Sequence, residues 1–481
     1  MPTAAGDAPS VFTPTLAAAL HIGLVLAGLL VYVMSTHASG QRRQPSAALA
    51  WVLTIALLPY VGLPLYVLLG TRKFRRPPRK ALFKPRIDTL GPRETGLQDC
   101  AIATLEGMGL PPLTTNADVR FHADGKAAWD ELVCLINDAQ STLDIGTFLL
   151  ADDDAAGRLA DLMRQRAEAG VSVRLLLDAF GSWSTSRATV RGLRAAGVQV
   201  HWYRPLWHNP LKGQVNLRNH RKLAIADGQR LWSGGRNLAA EYFAGRPSQA
   251  PWLDLSFSID GDLAAQAQEL FASQWPEQPR AATPHWAMQP HTVCTPAAVG
   301  QAQPHRAQLI PSGPDQSEDT FYGLLLTALY RAERQVRAVT PYFVPDDALL
   351  TALSLAARRG VKIELVVPQR SNHRLADIAR ARALRDLAAA GGCVLLAPSM
   401  VHAKVVLVDD TLAFCGSVNL DSRSLFLNLE LMVAFYSAQD IAAISQWANK
   451  SLGQLRDFKA TQPSLLRDTG EGLVRWLGFQ M

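Results

Sequence analysis

The chain has 481 residues, of which 48% are hydrophobic and 19% charged, and its formal net charge is +7. This length allows more than one domain. The positive charge is concentrated in residues 41–80, which contain basic residues and no acidic ones, and residues from 81 onward carry no net charge. A nucleic-acid-processing enzyme is expected to have a basic surface. The charge distribution therefore disfavours nucleic acid as a partner.

Two apolar runs open the chain, one from about residue 11 to 34 and one from about 47 to 70. Each is long enough to cross a bilayer as a helix. The second run follows directly and no basic segment precedes the first, which favours a retained two-helix transmembrane hairpin over a cleaved signal peptide. His21 lies in the first run, where an ionisable side chain can be functional. Its place near the start favours a neutral ring or a contact with the partner helix.

Basic residues flank the second run. Arg42 and Arg43 lie before it, and a larger cluster follows it between Arg72 and Lys80. Because cytoplasmic flanks are enriched in Lys and Arg, we expect the larger cluster and the rest of the chain to lie in the cytoplasm. The cluster would also attract anionic lipid. The scattered cysteines fit reduced thiols better than disulfides or a metal site; they are Cys100, Cys134, Cys294, Cys393 and Cys415.

An α/β pattern is predicted beyond a basic linker at residues 71–115. Strands alternate with helices from about residue 116, as in the apolar runs 143–150 and 171–178 with a helical segment between them. Residues 308–481 repeat this order after an irregular connector at 276–307, which is rich in Pro, Ala and Gln. The first half contains an insertion at 206–218 with Trp207, His208 and Lys212, which we interpret as a lid or a lipid-facing loop.

One motif is written twice in the chain, beginning at His220 and at His402. Counted from the histidine, both copies have Lys at +2, Asp at +7, Gly at +14, Gly or Ser at +15 and Asn at +17. A single H-x-K arises often by accident, whereas agreement at five further positions is a strong signal. The sequence therefore predicts two copies of one unit, at 116–275 and 308–481, whose half-sites meet at an interface. The matched residues are Lys222, Asp227, Gly234, Gly235 and Asn237, and Lys404, Asp409, Gly416, Ser417 and Asn419.

Each histidine precedes an apolar run that is typical of a buried strand. Because residues i and i+2 share one face of a strand, the imidazole and the ammonium group project together. Asp227 and Asp409 follow the runs and are typical of turns. The small Gly-Gly and Gly-Ser pairs would let backbone N–H groups approach an anion. Two imidazoles, two ammonium groups and two amides together would suit a phosphate diester.

The doubled motif resembles that of the phospholipase D superfamily. Three further segments resemble bacterial cardiolipin synthases: Asn216–Lys222, Thr340–Asp346 and Gly416–Ser424. So does the N-terminal hairpin with residues 45–51 leading into the second run. Ser371, Asn372 and His373 depart from the pattern, because many relatives have an acidic residue there. The resemblance implies two pseudo-symmetric α/β/α domains that share one active site, held at the bacterial inner membrane with the catalytic domains in the cytoplasm.

The resemblance also implies a mechanism. One histidine attacks phosphorus to form a phosphatidyl-histidine, and the other protonates the leaving glycerol and then deprotonates an incoming alcohol. By analogy His220 is the nucleophile and His402 the acid and base. The remaining assignments follow by position. Lys222, Lys404, Asn237, Asn419, Ser417 and Gly235 bind the phosphate; Asp254 and Glu430 orient the imidazoles or form ordinary salt bridges; Asp227 and Asp409 complete the catalytic motif, with a turn or lysine-pairing role favoured.

Neither a metal nor another cofactor is implied by the resemblance, and the sequence offers no cluster with convincing ligand spacing. The leading hypothesis is an enzyme that joins two phosphatidylglycerols into cardiolipin and releases glycerol. The alternative is a hydrolase, or a transferase that uses another alcohol. A nuclease is disfavoured by the hairpin and the neutral body, and a catalytically dead scaffold by the intact motifs. Tyr342 and Trp207 are candidates for lipid contact, although an aromatic residue in an apolar setting is more often core.

Overall fold

The computed structural model describes residues 14–39, 45–70, 96–205, 215–247, 249–275 and 304–464, together with 467, 470–472 and 474. Several predicted features lie outside the described residues. These are the basic residues at 42, 43 and 72–80, most of the linker, most of the insertion, including residues 207, 208 and 212, and nearly all of the connector. The chain divides into two compact units, residues 1–76 with 207–217, and residues 77–206 with 218–481.

The described residues of the first unit form three helices, α1 (Pro14–Ser39), α2 (Pro45–Leu57) and α3 (Pro59–Leu69). Among the described residues, the stretch Thr15–Thr36 of α1 is the one helix long and apolar enough to cross a membrane. The second predicted span is not one continuous helix, because it breaks at Leu58, where φ is −132° and ψ is 60°. Pro59 has no N–H and disfavours helical geometry in the residue before it, which explains the break.

Aromatic side chains hold these helices together. The ring of Tyr66 lies 5.2 Å from the ring of Tyr32 and 5.2 Å from that of Trp51, and all three side chains are buried. Tilted and edge-on contacts at this distance are favourable for aromatic pairs. The ring of His21 lies 5.6 Å from that of Tyr60 in α3. His21 therefore faces a neighbouring helix, as one of the two sequence interpretations proposed.

The second unit is a mixed α/β structure, and the predicted α/β class is confirmed. Its helices are α4 (Leu97–Gly107), α5 (Gly125–Asp138), α6 (Asp154–Glu168), α7 (Arg187–Ala195), α8 (Ala240–Phe243), α9 (Asp262–Ala272), α10 (Thr320–Arg331), α11 (Asp347–Arg358), α12 (Arg374–Ala389), α13 (Ser422–Phe426) and α14 (Ala438–Lys450). Its first strands are β1 (Thr114–His122), β2 (Thr142–Thr147), β3 (Ser172–Asp178), β4 (Gln199–Tyr203), β5 (Leu223–Ala226), β6 (Arg230–Gly234) and β7 (Ser256–Gly261). The later strands are β8 (His305–Ser312), β9 (Gln335–Val339), β10 (Phe343–Val344), β11 (Lys362–Pro368), β12 (Cys393–Ala397), β13 (Val405–Val408), β14 (Leu412–Gly416), β15 (Leu420–Asp421), β16 (Glu430–Phe435) and β17 (Arg456–Asp457).

Local signals at helix ends recur in both halves of this unit. The Asp153 carboxylate accepts from the N–H of Ala156 at the start of α6, and the Asp346 carboxylate accepts from that of Leu349 at the start of α11. Such side-chain caps satisfy backbone donors that the first helical turn leaves unpaired. Gly170 and Gly360, with φ of 92° and 94°, follow these helices and turn the chain into β3 and β11.

Fifteen of the strands that the structure describes form one sheet, in the order β4-β3-β2-β5-β6-β7-β1-β8-β16-β14-β13-β9-β11-β12-β17. β2, β3 and β4 are parallel, and so are β9, β11 and β12. β5 pairs antiparallel with β2, and β13 pairs antiparallel with β9. The start of β5 therefore lies at the carboxyl end of β2, and the start of β13 at that of β9. These two starts carry the two histidine motifs.

The sheet folds back on itself between β1 and β8. These strands pair only over their first residues, Thr114–Asn116 with His305–Ala307. Farther along, the ring of Phe435 lies 5.2 Å from that of Phe121 and 5.4 Å from that of Phe257. In a flat sheet Phe121 and Phe435 would be separated by several residues of strand length, at about 3.3 Å each. Face-to-face packing therefore brings the two histidine-bearing ends to the same side.

Candidate active site

Backbone hydrogen bonds between the two halves position both histidines. The N–H of His220 donates to the carbonyl of Leu429 at 2.8 Å, immediately before β16. The N–H of His402 donates to the carbonyl of Leu253 at 2.7 Å, shortly before β7. Each histidine is thus hydrogen-bonded to the segment that leads into a strand of the other half. The residue that follows each of these carbonyls is a carboxylic acid.

The two carboxylates bond to the histidines across this junction. The Glu430 oxygens lie 2.9 and 3.0 Å from Nδ1 of His220, and Oδ2 of Asp254 lies 2.9 Å from Nδ1 of His402. Both acids are fully buried. A carboxylate at Nδ1 fixes the ring and favours the tautomer whose Nε2 has a lone pair. The structure therefore brings together four predicted site residues and pairs each acid with the histidine of the opposite half.

Burial disfavours the protonated, charged form of both imidazoles. It lowers the pKa of His220 to about 4 and that of His402 to about 3, with Lys404 adding to the second effect. Aromatic rings form part of this apolar surrounding. Phe148 packs edge-on against His220 with ring centroids 4.9 Å apart, and Tyr242 does so against His402 at 5.0 Å. Near pH 7 both histidines are neutral in the free protein.

The motif lysines are buried cations. Nζ of Lys222 donates to the carbonyl of His220 at 2.7 Å. Nζ of Lys404 donates to the carbonyl of His402 and lies 2.7 Å from Nδ1 of that ring. Burial lowers the pKa of Lys222 to about 7 and that of Lys404 to about 8. In the part of the chain that the structure describes, neither ammonium group forms an ion pair with a carboxylate, so an anion bound here would stabilise both.

The two motif asparagines have the same arrangement. Nδ2 of Asn237 donates to the Tyr242 hydroxyl at 2.7 Å, and Nδ2 of Asn419 donates to the Ser424 hydroxyl at 3.1 Å. The oxygen of each amide is buried and accepts no hydrogen bond from the described residues. A buried polar atom without a partner costs free energy and is uncommon. In both copies, one end of the asparagine amide therefore remains available for a hydrogen bond with a further polar group.

Ser417 and Gly235 lie beside the two carboxylates that bond to the histidines. The Ser417 hydroxyl donates to Glu430 at 2.5 Å and accepts from the N–H of Leu431 at 2.9 Å. A Cβ added at Gly235 would lie 2.3 Å from Oδ1 of Asp254, so that position has room only for glycine. The predicted contacts of both residues with the substrate stay a prediction. The structure places Ser417 as a support for Glu430, and Gly235 as the space that Asp254 needs.

Asp227 and Asp409 lie away from the histidines, at the far ends of β5 and β13. Each carboxylate accepts from three consecutive backbone N–H groups, those of residues 140–142 for Asp227 and 333–335 for Asp409. Burial opposes ionisation of Asp227, but these hydrogen bonds lower its pKa to about 2. Both carboxylates thus anchor a loop to a turn, and their assignment to the catalytic residues stays a prediction.

Asp178 is a site residue that sequence reasoning missed. It is fully buried at the end of β3, where Oδ2 accepts from the N–H of Asn219 at 2.8 Å and Oδ1 accepts from that of Phe180 at 2.9 Å. The guanidinium group of Arg218 lies 3.8 Å from it. These contacts fix the segment that leads into His220. The available signal was an acid at the carboxyl end of an apolar strand, where site residues collect.

Arg221 was missed as well. Its Nε donates to the carbonyl of Glu430 at 2.9 Å, and its Nη2 donates to Asp315 at 2.8 Å in a buried ion pair. A fully buried arginine paired across the two halves holds the carboxylate beside His220. The second motif has Ala403 at the matching place, so comparing the two copies could not reveal this role.

The arrangement suits nucleophilic and acid–base chemistry at an anion. It contains two imidazoles held by carboxylates, two buried ammonium groups and two open amide ends. One imidazole can attack while the other transfers a proton. The described residues include no group of three or more His, Cys, Asp or Glu side chains that could hold a metal ion.

Comparisons with known proteins agree with this geometry. Residues 132–275 and 325–452 match the family described as cardiolipin synthase, PLD-like domain, and residues 24–70 match the phospholipase D-nuclease N-terminal family. Cardiolipin synthase A of Pseudomonas putida is 31% identical over 457 residues, which cover 91% of this chain and 92% of that protein. Cardiolipin synthase A of Pseudomonas fluorescens is 33% identical and covers 85% and 87% of the two chains.

A solved structure supports the fold. The phosphatidylserine synthase of Haemophilus influenzae superposes with a TM-score of 0.62 at 14% identity, covering 80% of this chain and all of that one. At such low identity the likeness concerns the fold alone. The family match over more than half of the chain, together with relatives of more than 30% identity along nearly its whole length, settles the assignment. The chain belongs to the cardiolipin synthase family of phospholipase D-like proteins.

Proposed function

We propose that the protein is a membrane-bound cardiolipin synthase. It transfers the phosphatidyl group of one phosphatidylglycerol to the headgroup hydroxyl of another and releases glycerol. The observation that carries the proposal is the pair of crossed histidine–carboxylate contacts, Glu430 with His220 and Asp254 with His402. The similarity to cardiolipin synthases supports phospholipids as the substrates.

In the first step, Nε2 of His220 attacks phosphorus and the bond to the glycerol oxygen breaks. The electron pair of that bond goes to the oxygen, which takes a proton from His402. An anion beside an imidazole favours its protonated form. A bound phosphodiester therefore raises the pKa of His402 from the low value that burial gives it in the free protein. Glu430 stabilises the positive charge that develops on His220 after attack.

In the second step, the headgroup hydroxyl of another phosphatidylglycerol gives its proton to His402, and its oxygen attacks phosphorus. The phosphorus–nitrogen bond breaks and the electron pair returns to His220. The products are cardiolipin and a neutral His220, so the enzyme is regenerated. Water in place of the lipid alcohol would give phosphatidic acid instead. Exclusion of water during the lifetime of the phosphatidyl-histidine therefore decides between transfer and hydrolysis.

Lys222 and Lys404 bind the non-bridging phosphate oxygens. The low pKa values that burial gives them, about 7 and about 8, rise when the anion is present. Asn237 and Asn419 complete the cradle. If each amide turns by 180°, its oxygen accepts from the neighbouring hydroxyl of Tyr242 or Ser424, and its NH₂ group points to the phosphate. That arrangement satisfies the amide oxygens that are otherwise buried without a partner.

The architecture we propose has two copies of one unit, residues 116–275 and 308–481, that share a single site. The matched strand orders on the two sides of β1 and β8 support it. We also propose that α1, and α2 with α3, cross the inner membrane of a bacterium as a hairpin, with the body on the cytoplasmic side. The 22-residue apolar stretch in α1 and the basic residues that follow the second run support this topology.

A product assay tests the function. The purified full-length protein in detergent is incubated with phosphatidylglycerol, and lipids and free glycerol are measured by mass spectrometry. We expect cardiolipin and glycerol from the wild type and neither from His220→Ala or His402→Ala. Phosphatidic acid without cardiolipin would move the assignment to hydrolysis. Addition of a second alcohol, such as ethanolamine or serine, tests acceptor choice, and a mixed product in place of cardiolipin would contradict the proposed acceptor.

A further inference from the structure

Large exposed apolar side chains of the second unit are concentrated at two places. Phe180 is 57% exposed and Trp183 80% exposed, in the segment after β3. Leu375 is 49% exposed and Ile378 41% exposed, at the start of α12, which follows β11. β3 and β11 occupy matching places in the sheet, each the second of three parallel strands. We call these four side chains the apolar rim.

The first pair lies beside the His220 half of the site. β3 runs parallel to β2, so the segment after it emerges at the edge where β5 begins. The N–H of Phe180 donates to Asp178, and the same carboxylate accepts from the N–H of Asn219, next to His220. The guanidinium carbon of Arg218 lies 5.9 Å from the centre of the Phe180 ring.

The second pair lies beside the His402 half. β11 runs parallel to β9, so the segment after it emerges at the edge where β13 begins. The Tyr342 hydroxyl donates to Asn372 at 2.6 Å, and the ring of Tyr342 lies 5.2 Å from that of His373. Tyr342 precedes β10, which pairs with β15 immediately after Asn419. The rim therefore borders both halves of the site.

Charge alone does not select a partner for this edge. Arg370 and Arg374 are exposed beside Leu375, but Asp152 and Asp154 are exposed at the carboxyl end of β2. The apolar groups are the distinctive feature. Exposed tryptophan and phenylalanine are characteristic of membrane interfaces, where the ring reaches the acyl boundary while the backbone stays wet.

We propose that the apolar rim inserts into the lipid interface of a bilayer and turns the mouth of the site toward the headgroups. The inference rests on the proposed function, because a lipid phosphate must reach the buried histidines. A bilayer is favoured over a second copy of the chain because the same chain has an apolar helix long enough to cross one. The rim then holds the body at the surface from which both substrates are drawn.

The test compares two forms of one substrate. The full chain is assayed with long-chain phosphatidylglycerol in vesicles and with dihexanoyl phosphatidylglycerol below its micelle concentration. The rim variant replaces Trp183, Leu375 and Ile378 by Ser and keeps Phe180, which contacts Asp178 and Arg218. The control variant, Tyr330→Ser with Leu355→Ser, removes two other exposed apolar side chains of the same unit. We expect the rim variant to lose about tenfold or more with vesicles, because burial of each such side chain contributes to interfacial binding. With the monomeric lipid we expect rates within about twofold of the wild type.

A loss with both substrates would overturn the proposal, since it would mean damage to the site rather than to membrane contact. Equal activity of rim variant and wild type on vesicles would also overturn it. A second readout does not depend on catalysis. Brominated lipids in the vesicle should quench Trp51, in the proposed membrane hairpin, and Trp183. Trp183→Phe should lower the quenched fraction of the tryptophan fluorescence, whereas an unchanged fraction would contradict insertion.

The outcomes separate this inference from the function. If the wild type makes no cardiolipin from either substrate, the proposed function fails, while the quenching result still decides the rim. If the rim variant instead changes the oligomeric state and leaves quenching unchanged, the rim is a contact between copies and the membrane proposal is wrong.

Discussion

Oε1 of Glu430 lies 2.9 Å from Nδ1 of His220, although the two residues are 210 positions apart and belong to different repeats of one motif. The reciprocal contact joins Asp254 to His402 across 148 positions. Each motif histidine thus takes its carboxylate from the other half. Each half therefore depends on the other for the orientation of its imidazole, which gives the site a built-in requirement for both.

Loss of either carboxylate should disable the histidine of the opposite half. We expect Glu430→Gln and Asp254→Asn each to lower kcat by about 10²-fold or more, because the amide cannot stabilise an imidazolium. The two variants should differ in the catalytic step that becomes slow. Since Glu430 acts on the proposed nucleophile, Glu430→Gln should slow formation of the covalent intermediate, which single-turnover kinetics measures.

A matched control for these variants is Asp440→Asn. Asp440 is also buried and its Oδ1 lies 2.7 Å from Nδ1 of His305, at the amino end of β8 and outside the site. We expect this change to leave kcat within about twofold of the wild type. A comparable loss of activity in all three variants would indicate that buried carboxylate–histidine pairs act here through stability alone.

A methyl group at position 235 should displace a carboxylate. In Gly235→Ala the added Cβ would approach Oδ1 of Asp254 to 2.3 Å, so the acid must move away from His402. We expect at least about tenfold lower activity, with a thermal unfolding midpoint measured in detergent that changes little. Gly157→Ala in α6 is the control, because no atom lies within 4 Å of its added Cβ. Full activity of Gly235→Ala would contradict the packing described here.

Both limbs of the pH profile of kcat/KM should lie at lower pH than ordinary histidine and lysine side chains would give. Protonation removes the nucleophile, and burial lowers the pKa of His220 to about 4, so the acid limb should fall well below the ordinary histidine value of 6.5. On the alkaline side, activity should decline as rising pH removes the proton that His402 must donate and discharges Lys222 and Lys404, because burial lowers their pKa values to about 7 and about 8. Lys222→Arg keeps its charge and should remove the Lys222 part of this decline at a lower overall rate. An acid limb at 6.5 in the wild type would argue against neutral buried imidazoles.

The motif aspartates should matter for stability more than for chemistry. Asp227→Asn and Asp409→Asn each weaken hydrogen bonds to three backbone N–H groups, which we expect to cost about 1–3 kcal/mol of unfolding free energy. Activity measured well below the unfolding midpoint should stay within about tenfold of the wild type. Chemical denaturation followed by tryptophan fluorescence provides the stability, and the product assay the activity. Inactive but fully stable variants would instead support the assignment of both residues to the catalytic set.

Many residues of the candidate site could be predicted from the repeated spacing in the sequence. It predicted both histidines, both lysines and both asparagines as site residues, because residues that are expected to meet one ligand recur at matched positions. The alternation of strands and helices likewise gave the α/β class. Asp254 and Glu430 were also found, although their crossed pairing was not, because register along a strand does not say which half of the sheet a carboxylate will face.

Other features had no signal in the repeat. Arg221 is matched by Ala403, so its ion pair with Asp315 belongs to one half only. The break at Leu58 interrupts an apolar run that is long enough to be one helix, and only Pro59 marks it. Ser417 and Gly235 occupy equivalent places but serve acids of different length, a distinction that depends on three-dimensional packing.

The central claim is that two motifs make one active site, and the number of covalent intermediates tests it most directly. The protein is mixed with phosphatidylglycerol, quenched in alkali to preserve phosphohistidine, digested and analysed by mass spectrometry. We predict at most one adduct per chain, on the peptide containing His220, and none in His220→Ala. Adducts on His220 and His402 in equal amounts, reaching two per chain, would mean two independent sites and would contradict the account.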